Sequence, residues 1–145
     1  MTKTTTWQEL MDKAYDEWQK HPGLSYEEFL AGLDAKEEQA VLLGNLNYQV
    51  QNGGFDQWVF NGYASRGPEI VVLLISMESP VAFELARRLP GLLDFVKPGK
   101  KSRGCFGDYW IDDDDVPTEL MEELTDWFYS VHERFEEEVE NFLSE

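Results

Sequence analysis

The sequence predicts an all-α fold, one multi-helix domain spanning residues 1–145, on three observations. Capping-box starts recur, in which a Ser, Thr or Asp side chain and an acid three residues on satisfy orphan N–H groups. They are Thr6-x-x-Glu9, Ser25-x-x-Glu28 and Asp34-x-x-Glu37. Apolar residues then return at the period of a helix face. Proline stands where a first helical turn tolerates it, at Pro68 and again after Ser79.

Taken in order, Thr6 opens a helix to about Lys20, with Trp7, Leu10, Met11, Ala14, Tyr15 and Trp18 on one face; His21-Pro22-Gly23 closes it. Ser25 opens a short helix to about Leu33, and Asp34 a longer one to about Gln51. Residues 70–77 are apolar all round and predict a central buried helix, with a buried strand as the competing reading because β-branched residues are frequent there. Ser79-Pro80 restarts a helix that Pro90-Gly91 closes after Leu89. Residues 94–116 read as irregular, and a last long helix fills roughly 117–143.

The segment "NYQVQNGGFDQWVFNGY" gathers amides and glycines among bulky rings. Asn52-Gly53-Gly54 suits the left-handed backbone that ends a helix, so a tight corner is expected, with a second short helix from Phe55 to about Tyr63. Such a corner leaves backbone groups unpaired. Asn52, Gln57, Asn61 and Gln49 are the amides able to satisfy them, and Phe55, Trp58 and Phe60 supply packing. Architecture is the favoured reading of these residues; a binding site is the alternative.

The spacing Asn52-Gly53-Gly54-Phe55-x-Gln57-Trp58-x-x-Asn61, with an apolar-rich helix before it and "GPEIVVLLISM" after it, resembles the signature of the DNA-mimic protein family, acidic all-helical bacterial domains. The likeness covers roughly residues 35–90. It implies a protein that imitates duplex DNA and sequesters a DNA-binding regulator. The motif marks the fold, whereas mimicry depends on surface acids outside it.

Charge supplies such acids. The net charge is −17, and residues 108–145 carry fifteen acids against the single base Arg134, leaving −3 on the rest of the chain. A lopsided negative field excludes direct nucleic-acid binding and calls for a basic partner. An aromatic content of 14% excludes a disordered acidic chain. The longest apolar run, Ile70 to Ile75, is far short of the roughly 20 residues of a membrane span. The N-terminus lacks a signal-peptide core, and a lone Cys105 makes no internal disulfide, so the expected location is cytoplasmic.

On the last helix, Leu120, Met121, Leu124, Trp127, Phe128, Val131, Phe135, Val139 and Phe142 form the core side. Glu119, Glu122, Glu123, Asp126, Glu133, Glu137 and Glu140 gather opposite, within an arc of about 100° and a length of about 32 Å. Asp112, Asp113, Asp114 and Asp115 precede them and thicken the pattern. An acidic face is often only a solvated one. Here it lacks the mixed-sign pairs that would stabilise a helix, which suggests a use for the field. The basic residues Lys97, Lys100, Lys101 and Arg103 are placed to fold back onto it, and a homodimer would bury it.

Catalytic chemistry does not assemble. Asp108, Asp112 and Glu119 take three places of a calcium loop, but Trp110 and Asp113 stand where it needs a ligand and a glycine. His132 with Glu136 reads as a surface pair, and Cys105, near Lys100, Lys101 and Arg103, lacks a base to activate it. Phe106, Tyr109 and Trp110 are interface-type aromatics that more often pack on the core. No Walker or Rossmann motif is present, and no cofactor or metal is expected. The leading reading is a non-enzymatic acidic protein that binds a basic, DNA-binding partner. Its rivals are an immunity-type inhibitor of a nuclease, a soluble helical domain of other role, and, last, a metal-dependent enzyme built on Asp108 and Asp112 to Asp115.

Overall fold

Side-chain oxygens start the first three helices. In α1 (Thr6–Gln19) the Gln8 N–H donates to Thr5 Oγ1 at 3.0 Å, so the cap lies one residue before the expected Thr6. In α2 (Tyr26–Ala31) and α3 (Ala35–Phe60), Ser25 with Glu28 and Asp34 with Glu37 form the expected reciprocal boxes. A 3₁₀ turn (Tyr63–Arg66), α4 (Gly67–Ser76), α5 (Pro80–Leu93) and α6 (Thr118–Leu143) follow. The computed structural model describes residues 4–96 and 116–145, and every regular element among them is helical.

The long helices α3 and α6 pack together; α1 lies across both, and α5 flanks α6 with α4 against it. Where α1 meets α3 the backbones approach closely: a Cβ on Gly44 would sit 2.3 Å from Met11 Sδ. The core side predicted for α6 is the side that packs, with Met121, Leu124, Phe128, Phe135 and Val139 buried and Leu120, Trp127, Val131 and Phe142 at its margins. The largest fully buried side chains include Trp58, Phe55, Phe128 and Phe135. Phe55 meets Trp58 and Phe128 edge-on at 6.1 and 6.0 Å, and Phe128 meets Phe135 at 5.3 Å. These rings join the motif to α6.

Three elements depart from the sequence reading. The corner falls at Gly54, not at Gln51: Asn52 and Gly53 continue the helix, and Gly54 alone leaves it, at φ 87° and ψ 177°. That region is essentially restricted to glycine. The arm after it ends at Phe60, with Asn61 as its C-cap, before the expected Tyr63. Next, α4 is a helix as expected but not buried all round, since Val72 and Ile75 are 68% and 50% exposed. Last, α5 runs through Pro90-Gly91 to Leu93, because Leu89 and Leu92 on either side are fully buried and hold the turn despite the N–H that proline lacks.

Replacing Gly54 by alanine should therefore strain the backbone and push a methyl group against Thr125 Oγ1, 3.2 Å from the ideal Cβ position. The expected loss is about 1–3 kcal/mol in urea unfolding, with the same helical circular dichroism in the absence of denaturant.

Candidate functional site

The corner docks on the middle of α6. The Phe55 N–H, freed by the break, donates to Thr125 Oγ1 at 3.0 Å. The Tyr129 hydroxyl donates to the Val50 carbonyl at 2.9 Å, with the Gln51 carbonyl 3.3 Å away. The amides were expected to satisfy these backbone groups; instead Gln57 and Asn61 each donate a 2.8 Å hydrogen bond to Gln49 Oε1, linking the two arms of α3 side chain to side chain. Asn52 is exposed and takes no part in that link.

This docking brings an acid of the motif to the stripe. Asp56 shares a shallow pocket of about 280 Å³ with Glu122 and Asp126, floored by Gly53, Gly54 and Thr125. On α6, Glu119, Glu122, Glu123, Asp126, Glu133 and Glu137 are exposed. Among the described residues none of the six forms an ion pair with Lys, Arg or His. The basic side chains of α5 are otherwise engaged: Arg87 and Arg88 pair with Glu84 at 2.8 and 3.4 Å, and Arg88 stacks on Trp127 at 4.8 Å. Asp112 to Asp115, Asp108, Cys105 and the basic stretch from Lys97 lie outside the described residues.

Glu140 does not belong to the free stripe. Its carboxylate reaches the open start of α1, accepting from the Thr6 and Trp7 N–H groups, both at 2.9 Å. Burial pushes its pKa up, but the Trp7 and Thr6 N–H groups and the Ser144 hydroxyl outweigh that and hold it below the ordinary glutamate value. Glu138 does the same for α5, where Ser79 provides no cap: it accepts from Val81 and Ala82 N–H at 3.0 and 2.9 Å. Sequence reasoning missed this pair of carboxylate caps. The one signal was a helix start, Ser79-Pro80-Val81-Ala82, without an acid of its own in the first turn. Nor does Glu136 pair with His132 among the described residues; its Oε2 accepts from Asn47 Nδ2 at 3.4 Å, while His132 Nδ1 is buried and unpaired.

A second concavity, about 880 Å³, opens between α1 and the middle of α3, from Gly44 to Asn52, with Glu136 and Glu140 at its α6 edge. Tyr15 and Asn45 form one wall: the Tyr15 hydroxyl donates to Asn45 Oδ1 and Asn45 Nδ2 to the Tyr26 hydroxyl, both at 2.9 Å. Burial raises the pKa of both phenols, partly offset by Asn45, so they stay neutral. Among the described residues no three His, Cys, Asp or Glu side chains converge as metal ligands, and no helix is long and apolar enough to cross a membrane.

Residues 31–145 match the family described as DMP19-like protein, a span that holds the corner, the stripe and both carboxylate caps. The chain belongs to the DMP19-like family. No curated protein and no solved structure matches it. Membership in this family, that of DNA mimic protein 19, suggests a DNA-mimic protein and implies a DNA-binding protein as partner; the DMP19-like family is in general non-catalytic.

Replacing Glu140 by glutamine leaves one acceptor for two N–H groups and should lower stability by about 1 kcal/mol at neutral pH, the scale of a lost helix cap. Its carboxylate titrates lower folded than unfolded, so its contribution is complete above the ordinary value near 4.5 and is lost as pH falls through the lowered one. Urea unfolding of both proteins from pH 7 to pH 3 should show their difference shrinking below about pH 4.5. A difference that stays constant would assign the effect to packing.

Proposed function

We propose that the chain binds a basic, DNA-binding protein by presenting the exposed acids of α6 in place of DNA phosphates, and so competes with DNA for that partner. One observation carries the reading. Glu119, Glu122, Glu123 and Asp126 are all exposed on the first three turns of α6, and none is neutralised among the described residues. Their mean spacing along the axis is about 3.5 Å at the helical rise. Phosphates along one strand of B-DNA advance by about 3.4 Å. Asp56 adds a fifth carboxylate beside them, and Glu133 and Glu137 continue the face after a gap of about 10 Å. The α6 stripe excluding Glu140 is about 27 Å long, shorter than a full DNA turn of about 34 Å.

Family membership supports the same reading, and the lack of ion pairs to these acids among the described residues leaves their field available to a partner. At 0.1 M salt the screening length is about 10 Å, so neighbouring carboxylates act together on an approaching basic surface. The test is capture of a partner from the source lysate, repeated with duplex DNA as competitor and with the variant Glu122→Gln/Glu123→Gln/Asp126→Asn/Glu133→Gln/Glu137→Gln. The expected result is a DNA-binding protein that DNA displaces, that dissociates as salt rises, and that binds the variant on the order of tenfold more weakly or worse. A partner indifferent both to DNA and to the five substitutions would sink the reading.

A further inference from the structure

We propose that the cleft between α1 and the middle of α3 is a binding site for an extended peptide carrying a basic side chain. It lies apart from the exposed acids of the first turns of α6. The proposal deepens the reading above, on which it rests for the source of the peptide, by giving the basic partner a second point of attachment.

Gln49 is the first argument. Its side chain is only 8% exposed and lines the cleft. Its Oε1 accepts from both Gln57 and Asn61, which fixes the orientation of the amide, and its NH₂ group donates to nothing among the described residues. The NH₂ group is thus held in one orientation at the cleft wall, free of protein acceptors among the described residues, and is placed to donate to a carbonyl of whatever fills the cleft.

Charge selects the occupant. Among the described residues Glu136 and Glu140 are the charged ones of the wall, and no Lys, Arg or His lines it. Glu140 is committed to the Thr6 and Trp7 N–H groups, whereas Glu136 is held only by the 3.4 Å contact from Asn47 and its Oε1 makes no hydrogen bond among the described residues. Phosphates and carboxylates are disfavoured by this wall, so the acceptor facing Gln49 is a neutral carbonyl and the group facing Glu136 is a cation. The Tyr48 ring, 64% exposed at the cleft, offers the aromatic face on which a guanidinium stacks.

The remaining wall fits a peptide backbone. Asn47, Gln51 and Asn52 join Gln49 along α3, and carboxamides donate and accept at once, as peptide groups do. The Gln51-to-Asn47 hydrogen bond of 2.8 Å holds two of them in place. At about 880 Å³ the cleft lies within the range of ligand sites, about 300–1,000 Å³, which is room for a short stretch of peptide.

The experiment is an NMR titration of the ¹⁵N-labelled full chain with three blocked tripeptides: Gly-Arg-Gly, its neutral citrulline isostere, and Gly-Glu-Gly. The arginine peptide should shift the Gln49 side-chain NH₂ signal together with the Trp7 indole and Tyr48 amide. Citrulline should bind roughly three- to fivefold more weakly, as should Tyr48→Ala and Glu136→Gln with the arginine peptide, and the glutamate peptide should not bind. Tyr48 is mostly outside the core, so its truncation leaves the fold intact. The stripe variant Glu122→Gln/Glu123→Gln/Asp126→Asn should leave the Gln49 response unchanged. No shift at Gln49 with millimolar peptide, or an equal response to all three peptides, would overturn the proposal. Shifts confined to residues 119–126 and abolished by the stripe variant would overturn the cleft while leaving the mimicry reading standing. A Gln49 response alongside failed DNA competition would do the reverse.

Discussion

The break at Gly54 and its reception by α6 are the constraint on which the rest of the structure depends. A helix interrupted in a core exposes a donor and several acceptors that must be met. Here α6 meets them from one face with two hydroxyls: Thr125 receives the Phe55 N–H, and Tyr129 donates to the carbonyl of Val50. The same docking sets Phe55 edge-on against Phe128. Backbone satisfaction and aromatic burial therefore fix one register of α3 against α6. That register sets where the acids of α6 stand relative to Asp56, so the fold motif and the acidic face are one arrangement.

The acids of α6 divide by what lies opposite them. Glu138 and Glu140 face the starts of α5 and α1, where bare N–H groups and the positive end of the helix dipole favour a carboxylate. Each binds two successive N–H groups, as a bound anion would at such a site. Glu119 to Asp126 face solvent and are spared such duties. A long acidic helix thus clamps two neighbours with one part of its charge and leaves the other part for interaction.

Local signals made much of the fold legible. Ser25 and Asp34 cap as read because a capping box is closed within four residues, and the apolar side of α6 packs as its period requires. What failed depends on distant partners. Asn and Gly both tolerate left-handed backbone, so sequence placed the corner two to three residues early; the φ/ψ of Gly54 and the hydroxyl of Thr125 decide it. Residues 70–77 are apolar but for Ser76, and composition does not say which side lacks a neighbour; Val72 and Ile75 have none covering them among the described residues. Glu122 and Glu140 lie eighteen residues apart, five full turns, and hence at one angle on the helix. Periodicity could not separate them; only the presence of α1 beside Glu140 does.

Why α6 endures its own charge follows from magnitudes. Glu119 with Glu123, Glu122 with Asp126 and Glu133 with Glu137 are like-charge pairs at i,i+4, which together cost about 1 kcal/mol. Glu119 recovers part of this, because it sits in the first turn, where the helix dipole favours a negative charge. Opposing the rest are Phe128 and Phe135, both fully buried, each worth about 3–5 kcal/mol by the cost of truncation to alanine. The core therefore outweighs the repulsion several times over. An acidic face with no matching cations would unravel an isolated helix, yet it is carried at small cost once the opposite face is locked against Phe55 and the Gly54 corner. The rigidity that makes the charge tolerable is also what holds the carboxylates at fixed spacing, and fixed spacing is what a surface standing in for phosphates requires.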